Sequence, residues 1–265
     1  MRRTRTASLR KLVALLSVVL LVLCIFAAVS TNLLSFPPPQ GTVEYTVWRY
    51  AKEQGYSLRD YPDSLINLLK TNPETKQFVL EYPSGKNITH TPDMTPYLNA
   101  ETVPLFLQWD PRWGYIPYGS DVAGLTACGP VCLSMAAIYV TDDPVFSPDA
   151  MIRFATEEGY YVSGVGSSWT LISQGGPKLG LTVTELPLDE GRILKSLAAG
   201  LPVICAMGPG DFTSSGHFIV ISSAQDGFLR INDPNSQSNS QKLWSYDQIK
   251  GQIRNLWSIG PGNLS

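Results

Sequence analysis

The sequence predicts an α+β fold, with helices first and an antiparallel sheet after them. Three observations carry that expectation. Between residues 126 and 200, apolar residues recur at helical spacing. From residue 201 onward the apolar runs are short and rich in β-branched residues: LPVICAM, HFIVISSA and FLRIND. The tripeptide QDG, Gln225 to Gly227, joins two of those runs as a hairpin, and neighbouring strands joined this way are antiparallel.

The elements can be justified in chain order. The first eleven residues hold Arg2, Arg3, Arg5, Arg10 and Lys11 and no acid, which marks residues 1–11 as a basic cytoplasmic tail. LVALLSVVLLVLCIFAAV, Leu12 to Val29, is long enough to cross a bilayer as a helix, so residues 12–34 read as a transmembrane signal anchor. The competing reading is a cleaved signal peptide, since Ala28, Val29 and Ser30 are small residues at cleavage spacing. Either way the remainder is exported. FPPPQG, Phe36 to Gly41, is a stiff exit from the membrane. Residues 35–100 read as an extracytoplasmic spacer with short helices, its starts marked by Asp63 or Ser64 and by Asn72-Pro73. Pro83 to Pro96 is a polar linker with an NIT sequon at Asn87.

Residues 101–265 form the dense domain. A helix runs from Cys128 to Thr141, with Pro130 in its first turn. Ser147 and Pro148 open a second, SSWTLISQGGPKLGL gives a third that breaks at Gly175-Gly176, and Asp189 and Gly200 bracket a fourth. After the three strands, YDQIKGQIRN reads as a last helix and LWSI as a final strand.

Composition narrows the function classes. At 44% hydrophobic and 16% charged, the chain is globular. Beyond the tail acids outnumber bases and no basic patch appears, which excludes nucleic acid as a partner class. The exported part holds Cys128, Cys132 and Cys205, an odd set that makes no disulfide scaffold and points to a thiol kept for chemistry. Two histidines far apart, with no cysteine pair at ligand spacing, give no metal site.

A cysteine nucleophile needs an electropositive setting, a base and donors for an oxyanion. Cys128 stands where a helix begins, at the positive end of its dipole. Gly129 beside it lets a substrate approach the backbone, whereas Cys132, one turn deeper among Val131, Leu133 and Met135, belongs to the core. Of the two histidines, His90 sits in the polar linker and His217 opens a strand after the loop GPGDFTSSG, so His217 is the candidate base. Asp233 ends the next strand. With QDG as a three-residue loop, Ala224 faces Phe228 and Asp233 faces Ile219, which puts Asp233 diagonally beside His217 on one face. A two-residue Asp226-Gly227 turn would put the two on opposite faces. Gln108 offers a side-chain amide that would join the Cys128 backbone N–H in an oxyanion hole.

The combination LQWDPRWG, ACGPVCLSMA, GHFIVI and INDPN resembles the papain-like cysteine peptidases related to bacteriocin double-glycine leader peptidases, and among them the standalone, exported branch. The resemblance spans about Val103 to Ile259. It implies a papain-like fold and hydrolysis of a peptide or amide bond through a thioester, with neither metal nor organic cofactor. It implies Gln108 as oxyanion residue, Cys128 as nucleophile, His217 as base and Asp233 as the residue that orients the base. Transporter-fused members carry an ABC transporter on the same chain. This sequence holds none, so the double-glycine leader substrate does not transfer with the rest.

Two other functions use the same residues. One is a non-catalytic module gripping a peptide or cell-wall component, with Trp109, Trp113 and Tyr115 lining its groove. The other is a thiol acyltransferase, which forms the same thioester and passes it to an amine.

Overall fold

The computed structural model describes residues 13–24, 37–87 and 91–262. Its architecture is α+β, built as a helical layer, a central buried helix and a six-stranded antiparallel sheet.

The helical layer comes first. Helix α1, Val43–Glu53, starts where Thr42 Oγ1 accepts the Tyr45 N–H at 3.1 Å. Helices α2, Asp63–Thr71, and α3, Lys76–Gly85, are separated by Asn72, whose side chain accepts the Glu74 N–H at 3.1 Å. Their apolar faces, Val47, Ala51, Leu65, Leu69, Phe78 and Val79, close on one another, and Tyr115 from the later chain completes the cluster. The Phe78 ring stacks on Tyr115 with centroids 4.5 Å apart. It also presses on Gly124 so closely that a Cβ there would lie 2.5 Å from the ring. The sequence reads this region as a spacer, but it shares its core with the domain behind it. Its apolar stripes are each too narrow to be buried alone and need the later chain as a partner.

Helix α4, Cys128–Thr141, is apolar all round and is buried along nearly its whole length, as such a helix must be. It ends at Asp142, which takes the left-handed conformation at φ 53°. Helix α5, Pro148–Glu157, packs beside it; Ser147 stands at the cap position but makes no side-chain cap bond. The third expected helix does break at its glycines, into a π turn Leu171–Gly175 and a short helical turn Gly176–Lys178. Helix α6, Glu190–Ala198, is capped by Asp189, which accepts the Arg192 N–H at 2.9 Å.

The sheet contains β1 Thr182–Glu185, β2 Val203–Met207, β3 His217–Gln225, β4 Phe228–Asn232, β5 Leu243–Trp244 and β6 Ile253–Gly260. Their spatial order is β1-β6-β2-β3-β4-β5, antiparallel throughout. Side chains alternate between two cores. Ile204, Phe218, Val220 and Trp257 face α4, while Cys205, Ile219, Ile221 and Leu256 join Ile193 of α6 and Ile249 on the other side. The expected C-terminal helix shrinks to the turn Tyr246–Ile249, and residues 253–255 belong to β6 instead. Pairing with β2, Ile253 with Met207 and Asn255 with Ala206, overrides the local helical pattern there.

The β3–β4 hairpin corrects one expectation and keeps its consequence. Asp226 and Gly227 both have positive φ, 53° and 80°, and Gln225 pairs with Phe228. The turn therefore has two residues, not the three of QDG. On its own that register would separate His217 from Asp233. A bulge between Ile221 and Ser223 undoes the slip: Ser222 is the extra residue, its hydroxyl donating to the Arg230 carbonyl at 3.2 Å. Beyond it Ile221 pairs with Ile231 and Val220 with Asn232, the register that brings His217 and Asp233 back together.

The anchor expected over residues 12–34 falls partly outside the described residues. Residues 13–24 are helical and exposed, and among the described residues no helix is long and apolar enough to cross a membrane. His90 also lies outside the described residues.

Candidate active site

The site lies where the N-terminus of α4, the start of β3 and the helical layer meet around a cleft of about 640 Å³. Thr71, Asn72, Gln108, Cys128 and His217 line it, with residues 164–166 and 210–216 as its flanking loops. Both of these loops, 160–169 and 208–216, reach the cleft.

Cys128 is the first residue of α4, so its backbone N–H has no partner inside the helix and the dipole's positive end lies at its sulfur. The residue is part-exposed, whereas Cys132 and Cys205 are fully buried and burial pushes both of their thiols up. Gly129 serves a different purpose from the one its position in the sequence suggests. A Cβ there would lie 2.7 Å from the Cβ and Oγ of Ser167, so glycine makes room for the protein's own chain and not for substrate. Ser167 in turn holds the buried Tyr118 hydroxyl at 2.8 Å. Gly129→Ala is expected to destabilise the fold by about 1–3 kcal/mol, read from the urea midpoint. Adding Ser167→Gly should recover part of that loss. Strictly additive losses would show that the contact is not the cause.

His217 and Asp233 form a buried pair, Nε2 to Oδ1, at 2.7 Å. Burial is the largest single influence on the ring and opposes its charged form. The Asp233 charge and hydrogen bond, together with the Cys128 sulfur, outweigh it and raise the pKa of His217 to about 10. Burial likewise opposes ionised Asp233. The charge and hydrogen bond of His217, with further bonds from Asn239 and the Asn235 N–H, hold that carboxyl below its ordinary value. Because Nε2 is committed to Asp233, Nδ1 is the nitrogen left for Cys128.

Gln108 is buried, and its Nε2 donates to the Gly124 carbonyl at 2.9 Å. That bond fixes the amide, since the flipped form would set two acceptors face to face. It uses one of the two N–H donors, and the side chain lines the cleft beside Cys128. Its Oε1 has no partner, a cost expected at sites kept for function.

The structure thus brings together all four residues singled out in the sequence. It does not bring the aromatics there. Trp113 and Tyr115 are buried in the core, and neither they nor Trp109 line the cleft. Trp109 instead donates its Nε1 proton to the Asn235 carbonyl at 3.0 Å. Sequence reasoning missed Asn239, whose Nδ2 donates to Asp233 Oδ2 at 3.0 Å, and Asn72 and Glu74, which grip the same loop from the helical layer. The capping pattern Asn72-Pro73-Glu74 was visible, but nothing local signals a contact more than 160 residues away.

A part-exposed cysteine at a helix tip, a buried His–Asp pair beside it and an anchored glutamine amide are the parts of a thiol hydrolase. A model of the Peptidase_C39 like family matches residues 100–260. The chain belongs to that family, a family of cysteine-peptidase type. No curated protein matches it. Among solved structures it is similar to the peptidase domain of Streptococcus ComA, a bifunctional ABC transporter of a quorum-sensing pathway. That match has 19% identity and a TM-score of 0.43, and covers 60% of this chain and 98% of that one. It is also similar to a C39-like peptidase from Bacillus anthracis, with 17% identity and a TM-score of 0.39, covering 62% of this chain and all of that one.

Residue-resolved alkylation tests the distinction among the thiols. At neutral pH iodoacetamide is expected to modify Cys128 and to leave Cys132 and Cys205 untouched until the protein is denatured. His217→Ala should slow modification of Cys128 by about tenfold or more. Equal, sluggish labelling of Cys128 and Cys132 would count against a pairing of Cys128 with His217.

Proposed function

We propose that the protein is a membrane-anchored, outward-facing cysteine peptidase that hydrolyses peptide or amide bonds through a thioester. The observation that carries this reading is the single cleft shared by Cys128, His217 and Gln108, with Asp233 behind the ring. Anchorage rests on the basic tail and the apolar run Leu12 to Val29, whose orientation sends the remainder outward.

Each residue then has a step. His217 Nδ1 takes the proton of the Cys128 sulfur. The sulfur attacks the scissile carbonyl, a C–S bond forms, and the carbonyl electrons move onto oxygen. The Cys128 N–H and the free Gln108 Nε2 proton receive that oxyanion. When the intermediate collapses, the C–N bond breaks and His217 Nδ1 gives its proton to the leaving amine. The neutral ring then takes a proton from water, which attacks the thioester. The C–S bond breaks and the acid is released. Asp233 keeps the ring in the tautomer and orientation that both halves require.

A peptide-library digest by the full chain, beside its Cys128→Ala form, tests the proposal. Cleavage by the native protein alone is expected, with a transient acyl adduct on Cys128 in the intact mass. Products extended by an added amine would identify acyl transfer. Binding that survives Cys128→Ala without any turnover by the native chain would identify a binding module and overturn the proposal.

A further inference from the structure

The catalytic reading leaves residues 43–87 without a role, and they lie outside the segment matched by the family. The loop that follows β4 shows what they do. Asp233 is held at both oxygens: Oδ1 by His217 Nε2 and by the Asn235 N–H at 2.9 Å, Oδ2 by Asn239 Nδ2 at 3.0 Å. Asn235 and Asn239 both belong to the stretch PNSQSNS, Pro234 to Ser240, which offers no apolar side chain beyond its proline. Such a loop has no packing of its own to fix it, and its position depends on hydrogen bonds.

The domain itself supplies some of those bonds: the Gln108 N–H donates to the Pro234 carbonyl at 2.7 Å, Trp109 Nε1 to the Asn235 carbonyl at 3.0 Å and Trp244 Nε1 to the Asn239 carbonyl at 3.1 Å. The helical layer supplies further ones. Glu74 Oε2 accepts the Gln237 N–H at 2.7 Å, and Oε1 accepts the Ser238 N–H at 3.1 Å and the Ser236 hydroxyl at 3.3 Å. Next to it Asn72 Nδ2 donates to the Asn235 carbonyl at 2.6 Å. Ser236 Oγ passes the constraint on by accepting the Asn239 N–H at 3.1 Å. Three donors converge on one half-buried carboxylate, and bonds to a charged acceptor are roughly twice as strong as neutral ones. Burial opposes the charged form of Glu74, but the Ser238 hydroxyl, the Gln237 and Ser238 N–H groups and the Ser236 hydroxyl hold its carboxyl below its ordinary value.

We propose that Glu74 is a positioning residue for the reaction: through it the helical layer fixes the Pro234–Ser240 loop, and so holds Asp233 against His217. The proposal rests on the peptidase reading for its consequence in catalysis, but the coupling from Glu74 to His217 exists whether or not the chain cleaves peptides. Residues 43–87 are then part of the working enzyme and not a tether.

The test uses the full chain in mild detergent with 13C-labelled histidine. The sequence has two histidines, His90 and His217, so the ring signals are assigned by His217→Ala alone. The titratable groups that act on the His217 ring are Asp233 and Cys128, and both are kept. Glu74→Ala is expected to move the His217 titration midpoint down by about one pH unit as the carboxylate loses its fixed place. Glu74→Gln, which keeps one acceptor of two, should fall between. In a chain that cleaves peptides, kcat should drop with KM little changed, and the Gln variant should restore part of it. An unchanged His217 midpoint in Glu74→Ala, with only the melting temperature lowered, would reduce Glu74 to a structural contact and overturn the proposal. If Glu74→Ala fails to fold, a native midpoint in Glu74→Gln overturns it equally. A shifted midpoint in a chain without turnover would uphold the coupling and sink the peptidase reading instead.

Discussion

Replacing Cys128 by alanine is expected to lower kcat/KM by about four orders of magnitude or more, with the melting temperature nearly unchanged. The size follows from the role, because without sulfur no thioester forms and His217 has no partner to activate. The remaining groups do not rebuild a nucleophile, since Cys132 and Cys205 are fully buried. The fold should survive because Cys128 is part-exposed at the tip of α4 and its removal opens no closed cavity. Cys128→Ser separates chemistry from size: it keeps the shape, but its hydroxyl lacks the acidity of a thiol, and it should be nearly as inactive. Initial rates on a cleaved library peptide, with intact mass to exclude residual native enzyme, make the measurement. An alanine variant within tenfold of the native rate would end the case for Cys128 as nucleophile.

The second large effect belongs to Asp233. Asp233→Ala should cost about 10⁴-fold in kcat, the scale known for losing the group that orients a catalytic imidazole. Asp233→Asn should cost about as much, because an amide no longer fixes the tautomer and it removes the charge that keeps the ring protonated. The alkaline limb of kcat/KM, set by loss of the His217 proton in the free enzyme, should therefore move to lower pH in Asp233→Asn. Stability carries the same sign. The raised folded-state pKa of His217 gives a contribution that is whole below the ordinary histidine value of about 6.5 and is lost as pH rises through the folded value. The lowered pKa of Asp233 gives one that is whole above about 3.9 and is lost as pH falls through its folded value. The advantage of native over Asp233→Asn in melting temperature should thus peak between about pH 4 and 6.5 and shrink toward pH 10. A difference that grows steadily with pH would contradict the pairing.

Much of the placement of these residues is legible in the sequence. Cys128 announced itself by a helix start with Pro130 in the first turn, and His217 by elimination. Both signals are local, and local chemistry decides where a helix begins and which residues are scarce. A three-residue turn puts Asp233 beside His217 on paper, but the turn has two residues and the bulge at Ser222 supplies the compensating one. Bulges respond to twist and to neighbouring strands, so no nearby residue announces one. The same limit hid β1 and β5, two short edge strands defined by what they pair with, and turned a helical pattern at residues 253–255 into strand. Glu74 was the hardest to see, because its partners lie across the whole domain and a glutamate in a first turn already has an ordinary explanation.

The Ser222 bulge has a wider meaning for how such a ribbon can vary. It leaves two arrangements that deliver ring and carboxylate to the same side: a tight two-residue tip with one surplus residue midway, or a looser three-residue tip on an unbroken ladder. Related chains are free to trade one for the other. The parity of the hairpin, counted from its tip to its working end, is what cannot drift.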